Sequence, residues 1–150
     1  MGAIASGGIR VLNSAVVSFL GDRAEDAIEQ VTREERQELE KREMRYRNRR
    51  PFPDLRGLWV VLVDDGLATG ATMRAAVQAI RLRQPAKVIV AVPVAAEKSC
   101  ETLRNEADEV ICAVTPEPFY GVGQFYDDFR QTTDEEVRSY LAAASSEETN

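Results

Sequence analysis

The chain has 150 residues, 44% of them hydrophobic and 29% charged, which suits one domain with its own core and is too apolar for a disordered chain. It has no histidine, which excludes Ser/His/Asp triads, Cys/His dyads and imidazole-ligated zinc and leaves acid–base work to carboxylates, Lys or Tyr. A net charge of −6 argues against general nucleic-acid binding, and the apolar runs at 58–63 and 88–92 are far short of the ~20 residues a membrane-spanning helix needs.

In chain order, Ala3 to Leu12 reads as two apolar runs around the turn signal Ser6-Gly7-Gly8, a β-hairpin. A helix is expected over Ser14 to Leu20, stopped by Gly21. Asp22 with Glu25 then opens an amphipathic helix with Ala24, Ala27, Ile28 and Val31 on one face. Beyond Thr32 charges crowd in, so the helix either breaks at a second cap (Thr32, Glu35) or continues as a solvated arm until Pro51 and Pro53. Lys41, Arg42, Arg45, Arg47, Arg49 and Arg50 form a basic cluster there, read as a solvated helix face.

From Leu55 the pattern becomes strand, helix, strand, helix, strand. Leu58 to Val63 and Lys87 to Val94 are continuous apolar runs, the form of parallel strands covered on both faces. Met73, Ala76, Val77 and Ile80 mark a helix between them, Glu97 to Asn105 a second, and Glu109 to Thr115 a third strand. An aromatic loop, Pro116 to Phe129, leads to a helix capped by Thr133 and Glu136, with Val137, Tyr140, Leu141 and Ala144 expected on its inner face. Residues 1–54 thus form a hairpin and helical arm, 55–144 an α/β core and 145–150 a frayed tail, all in one domain. Cys100 and Cys112 are too few for a thiolate metal site and read as core-filling thiols of a reducing, cytoplasmic chain.

The stretch from Val60 to Thr72 carries the chemistry. An apolar strand ends in Asp64 and Asp65 and turns through a Gly-containing loop into a helix. Ligands of open α/β sheets sit at such strand ends, and Leu67 to Ala71 would offer backbone N–H groups to a phosphate at a helix N-terminus. Asp64 and Asp65 can accept hydrogen bonds from two ribose hydroxyls or hold a hydrated Mg²⁺. As mere helix caps, two adjacent acids would carry a desolvation cost that one serine avoids. A haloacid-dehalogenase-type phosphatase would need a second acid at position 66, which is Gly, and a P-loop would need Lys at position 71, which is Ala.

This stretch resembles the PRPP-binding motif of the type I phosphoribosyltransferases (PRPP, 5-phosphoribosyl 1-pyrophosphate). VDDGLATGATMRAAV, AVPVA, ADEV-C, TPEPF-VGQFYDDF-Q and the opening GAIASGG-RVLN extend the resemblance to a bacterial subgroup of predicted phosphoribosyltransferases. Gly66 departs from the branched apolar residue usual in that motif. The resemblance implies a three-layer α/β fold with a mainly parallel sheet. Asp64 and Asp65 would serve as the catalytic ribose-binding pair, and Ala68, Thr69, Gly70, Ala71 and Thr72 would cradle the 5-phosphate. Mg²⁺ would enter with PRPP, with no direct protein ligand unless Asp64 and Asp65 supply one. The implied activity is a glycosyltransferase of nucleotide metabolism that moves a phosphoribosyl group to a nitrogenous base, or else a non-catalytic PRPP or nucleoside monophosphate sensor. Phe119, Tyr120, Phe125 and Tyr126 are candidates for stacking on the base, with packing as their alternative role.

In the family, a strand, a Gly-rich pyrophosphate loop, a helix and a further strand precede the region matching Gly2 to Asn13, and the chain as given starts after them. An N-terminally incomplete fold follows, with impaired turnover and an unpaired edge on Leu58 to Val63. Self-association into a homo-oligomer is expected from that edge.

Overall fold

The computed structural model describes residues 2–5, 9–12, 24–47 and 52–147. The hairpin is present: β1 (Gly2–Ala5) and β2 (Ile9–Leu12) pair antiparallel with Ala3 opposite Val11. Its turn and the helix expected over Ser14 to Leu20 lie outside the described residues. Helix α1 (Ala24–Arg47) runs unbroken through Thr32, so the solvated arm is the form adopted. No Gly or Pro interrupts it, and side-chain pairs one turn apart, such as Arg42 on Glu38 at 3.2 Å, support its exposed surface. Its far end is tied by Arg45 and Tyr46, both of which bond the Asp134 carboxylate.

β3 (Trp59–Val63), β4 (Lys87–Val94) and β5 (Glu109–Val114) form a parallel sheet in the order β3-β4-β5. The connections are α2 (Ala71–Arg81) and α3 (Glu97–Arg104). Val60 lies beside Val88 and Leu62 beside Val90, while Val90 and Val92 lie beside Val110 and Cys112. Those residues point to one face, where Val88, Val90, Val92, Leu67, Met73, Val77, Cys100 and Leu103 make the core. Helix α2 is gripped from two directions, because the hairpin packs on it as well as the sheet. Ala75, outside the expected apolar stripe, is accordingly fully buried.

Two expectations are corrected here. β3 is not covered on both faces: Trp59, Val61 and Val63 are 70%, 55% and 73% exposed, since no described element lies over the face they share with Ile111. The β3 edge is unpaired among the described residues, as expected, because the hairpin packs on α2 instead. Cys100 and Cys112 are not separate thiols but a disulfide joining α3 to β5, with Cα atoms 6.8 Å apart, because the two elements pack face to face.

Helix α4 (Asp134–Glu147) starts at the expected capping box: Thr133 N–H donates to Glu136 at 2.9 Å, and Glu136 N–H donates to the Thr133 hydroxyl at 3.3 Å. Its expected inner face is not one: α4 meets α1 at its start, where Arg45 and Tyr46 bond Asp134, and Tyr140 is 71% exposed. No helix among the described residues is long and apolar enough to cross a membrane.

Candidate functional site

The carboxyl end of β3 delivers Asp64 and Asp65 into solvent at the top of the sheet. Asp64 folds back so that its Oδ1 accepts the Asp65 N–H at 3.0 Å. The Asp65 carboxyl is held above the ordinary aspartate range, first by partial burial and then by the neighbouring Asp64 charge, with the Gly66 N–H pulling the other way. A proton or a cation at this pair would relieve that repulsion.

Beyond the acids, the chain is stitched to the β4–α3 junction. Leu67 N–H donates to the Val94 carbonyl at 3.0 Å, Ala96 N–H donates to the Leu67 carbonyl at 2.9 Å, and the Ser99 hydroxyl donates to the Ala68 carbonyl at 2.6 Å. Gly70 then caps α2 with φ +68°, a left-handed conformation that glycine adopts without a Cβ penalty. The result is a loop whose carbonyls face inward. The backbone N–H groups of Ala68, Thr69, Gly70 and Thr72 have no partner among the described residues, while Ala71 N–H makes a long 3.4 Å bond to the Thr69 hydroxyl. Free donors at the positive end of α2 suit an anion.

Gly66 is explained by close approach. A Cβ there would lie 2.8 Å from the Val94 carbonyl oxygen and 2.8 Å from Val122 Cγ1, so no branched side chain fits. Val122 belongs to a short 3₁₀ turn, Val122–Phe125, in the aromatic loop. The same loop sends the Tyr126 hydroxyl to the Asp65 carbonyl at 2.7 Å. Of the four stacking candidates, Phe119 and Phe125 stack on each other with ring centres 5.6 Å apart, and Tyr126 leans on Phe129 at 5.2 Å. Tyr120 is 86% exposed.

The structure therefore gathers the acids and the loop residues at one strand end and brings Tyr126 against Asp65. Of the basic cluster, Arg42 pairs with Glu38 and lines a cavity that Thr72 also reaches, and Arg45 bonds Asp134, while Arg49 and Arg50 lie outside the described residues. Sequence reasoning missed Ser99, Tyr126 as an anchor, and the Cys100–Cys112 bond. The departure at Gly66 was the one legible sign that another segment comes close.

Among the described residues, no three acids or cysteines converge as a metal cage. Two exposed carboxylates fit a Mg²⁺ that keeps waters and takes its other oxygens from a phosphorylated ligand.

A parallel sheet with two acids at a strand's carboxyl end, and with loop N–H donors unpartnered among the described residues, is the arrangement on which α/β domains commonly hold phosphorylated ligands. Comparison with known proteins sharpens that class: residues 3–130 match the family model of the phosphoribosyl transferase domain. The chain belongs to this family. It is 43% identical over 145 residues to the predicted phosphoribosyl transferase Rv0571c of Mycobacterium tuberculosis strain ATCC 25618 / H37Rv, covering 95% of this chain and 32% of that protein. The same figures hold for MT0597 of strain CDC 1551 / Oshkosh, so the chain spans about a third of the length of these curated relatives. The crystal structure of TT1426 from Thermus thermophilus superposes with a TM-score of 0.73 at 39% identity, covering 95% of this chain and 66% of that one.

Proposed function

We propose that the chain binds the phosphoribosyl group of PRPP or of a nucleoside 5-monophosphate, with Mg²⁺, and serves transfer of that group to a nitrogenous base. The observation that carries this reading is the meeting of Asp64 and Asp65 at one strand end with the N–H groups of Ala68, Thr69, Gly70 and Thr72, which have no partner among the described residues. The loop anchors the 5-phosphate, and the acids hold the ribose hydroxyls so that C1 is presented in a fixed position. As pyrophosphate leaves C1, the ring gains positive charge, which the two carboxylates offset. Mg²⁺, when bound, neutralises the diphosphate. A cytoplasmic location accords with a phosphorylated donor, and the Cys100–Cys112 disulfide is the observation against it.

Calorimetry with PRPP, AMP and ribose 5-phosphate in the presence of Mg²⁺ tests the reading. Asp64→Asn/Asp65→Asn and Thr69→Val are both expected to weaken binding; unchanged affinity in both would reject the site.

A second reading, a binding module completed by a partner or a second copy, is favoured by the apolar sheet face and unpaired β3 edge. Sedimentation at micromolar concentration decides it: a single compact monomer that still turns over PRPP would exclude it.

A further inference from the structure

We infer that Ser99, on the neighbouring helix, is the residue that sets the polarity of the phosphate loop, by holding the Ala68–Thr69 peptide with its N–H toward the ligand. The inference rests on the reading that 68–72 bind a phosphate. Ser99 is 8% exposed, sits in the first turn of α3, and donates its hydroxyl to the Ala68 carbonyl at 2.6 Å. In the trans peptide between Ala68 and Thr69, the carbonyl and the N–H point in opposite directions. With the carbonyl fixed on Ser99, the Thr69 N–H is directed away from α3, and it meets no partner among the described residues.

Without the hydroxyl, that carbonyl has two options. It can stay inward and lose its partner beside the buried face of α3, where Leu103 is fully buried, at the cost of an unsatisfied acceptor. Or the peptide can turn over and present oxygen, in place of N–H, to the anion. Either option weakens phosphate binding. Ser99 is well placed to resist the second: the loop rests on the same helical turn, since a Cβ at Gly70 would meet Ser99 Cβ at 3.6 Å and Leu103 Cδ1 at 3.8 Å. The helix is itself pinned by the next residue, Cys100, bonded to Cys112 on β5. Ser99 is thus a positioning residue that acts through the backbone without touching the ligand.

The chemistry needs a hydroxyl at position 99, which an isosteric pair of substitutions separates from packing. Ser99→Thr keeps the donor and Ser99→Val fills the same volume without it. Ribose 5-phosphate titrated by calorimetry is expected to bind Ser99→Thr like the wild type and Ser99→Val and Ser99→Ala about tenfold more weakly, the loss of roughly one hydrogen bond to a charged group. In ¹⁵N spectra the Thr69 amide should shift on adding inorganic phosphate to the wild type and Ser99→Thr, and stay still in Ser99→Val. A purely structural role would lower the melting temperature of Ser99→Val and leave its affinity, measured well below that temperature, unchanged. If the wild type binds and Ser99→Val binds equally, this inference falls and the phosphate reading stands; if the wild type does not bind, both fall.

Discussion

The two faces of the β3-β4-β5 sheet are built from the same residue types and meet opposite fates. On one, Val88, Val90 and Val92 are at most 4% exposed beneath α2 and α3; on the other, Trp59, Val61, Val63 and Ile111 are 49% to 73% exposed. Valines one position apart on neighbouring strands thus differ by whether a helix lies over them. Exposed apolar area of this extent, beside an edge unpaired among the described residues, is the kind of surface on which polypeptides associate. The site lies where the two faces meet, its loop tied to the covered one through α3.

The largest expected difference is in stability. Leu103→Ala, on the covered side and fully buried, should cost about 2 to 5 kcal/mol in urea denaturation. Val61→Thr, on the open face, should stay within about 0.5 kcal/mol. A cost for Val61→Thr that approaches that of Leu103→Ala would show that the open face is covered in solution.

Next comes the covalent tie, which belongs to the covered face alone. Cys100 and Cys112 are 12 positions apart, and opening a loop of that length by a dithiol reductant should cost about 3 kcal/mol on the chain-entropy account. A melting temperature indifferent to reductant would mean that packing of α3 on β5 already suffices.

The smallest effect is at the rim. The Asp65 pKa is raised on folding, so the stability penalty of ionising it is absent below the ordinary value of 3.8 and complete above the folded-state value. Stability therefore falls as pH rises through that window. Asp64→Asn removes the second cause of the shift, so Asp65 should titrate at lower pH in that variant, as read from its side-chain carbon resonance. An unmoved midpoint would mean that the two carboxylates do not feel each other. Glu136 behaves oppositely: the Arg130 guanidinium, then the Thr133 N–H and hydroxyl, hold it down at about 2, so its cap on α4 is lost only as pH falls through that value.

Much of this was legible in the sequence. The β4 boundaries, Lys87 to Val94, follow from an apolar run between turn signals, and the β3–acid–loop–α2 unit from the abrupt change of residue type at Asp64. What the sequence could not show is long range. Periodicity states that Val61 is apolar but not what lies over it. Two cysteines with 11 residues between them reveal no pairing until α3 is seen against β5. The Tyr126 hydroxyl and the Asp65 carbonyl are 61 positions apart, and a tyrosine in an aromatic loop reads equally as a stacking ring. The break weighed at Thr32 failed because local charge pairs, invisible to an apolar-stripe argument, sustain α1.

Trp59 is the single tryptophan of the chain and stands on the open face with 70% of its surface in water, the Lys87 ammonium 4.9 Å from its ring centre. The molecule therefore carries its one indole fluorophore on this open face. Its emission should be that of a hydrated indole in dilute solution, and a shift to shorter wavelength on raising the concentration, or on adding another polypeptide, would report contact at this face without any label. Phosphate binding at the loop on the covered side should leave that colour unchanged.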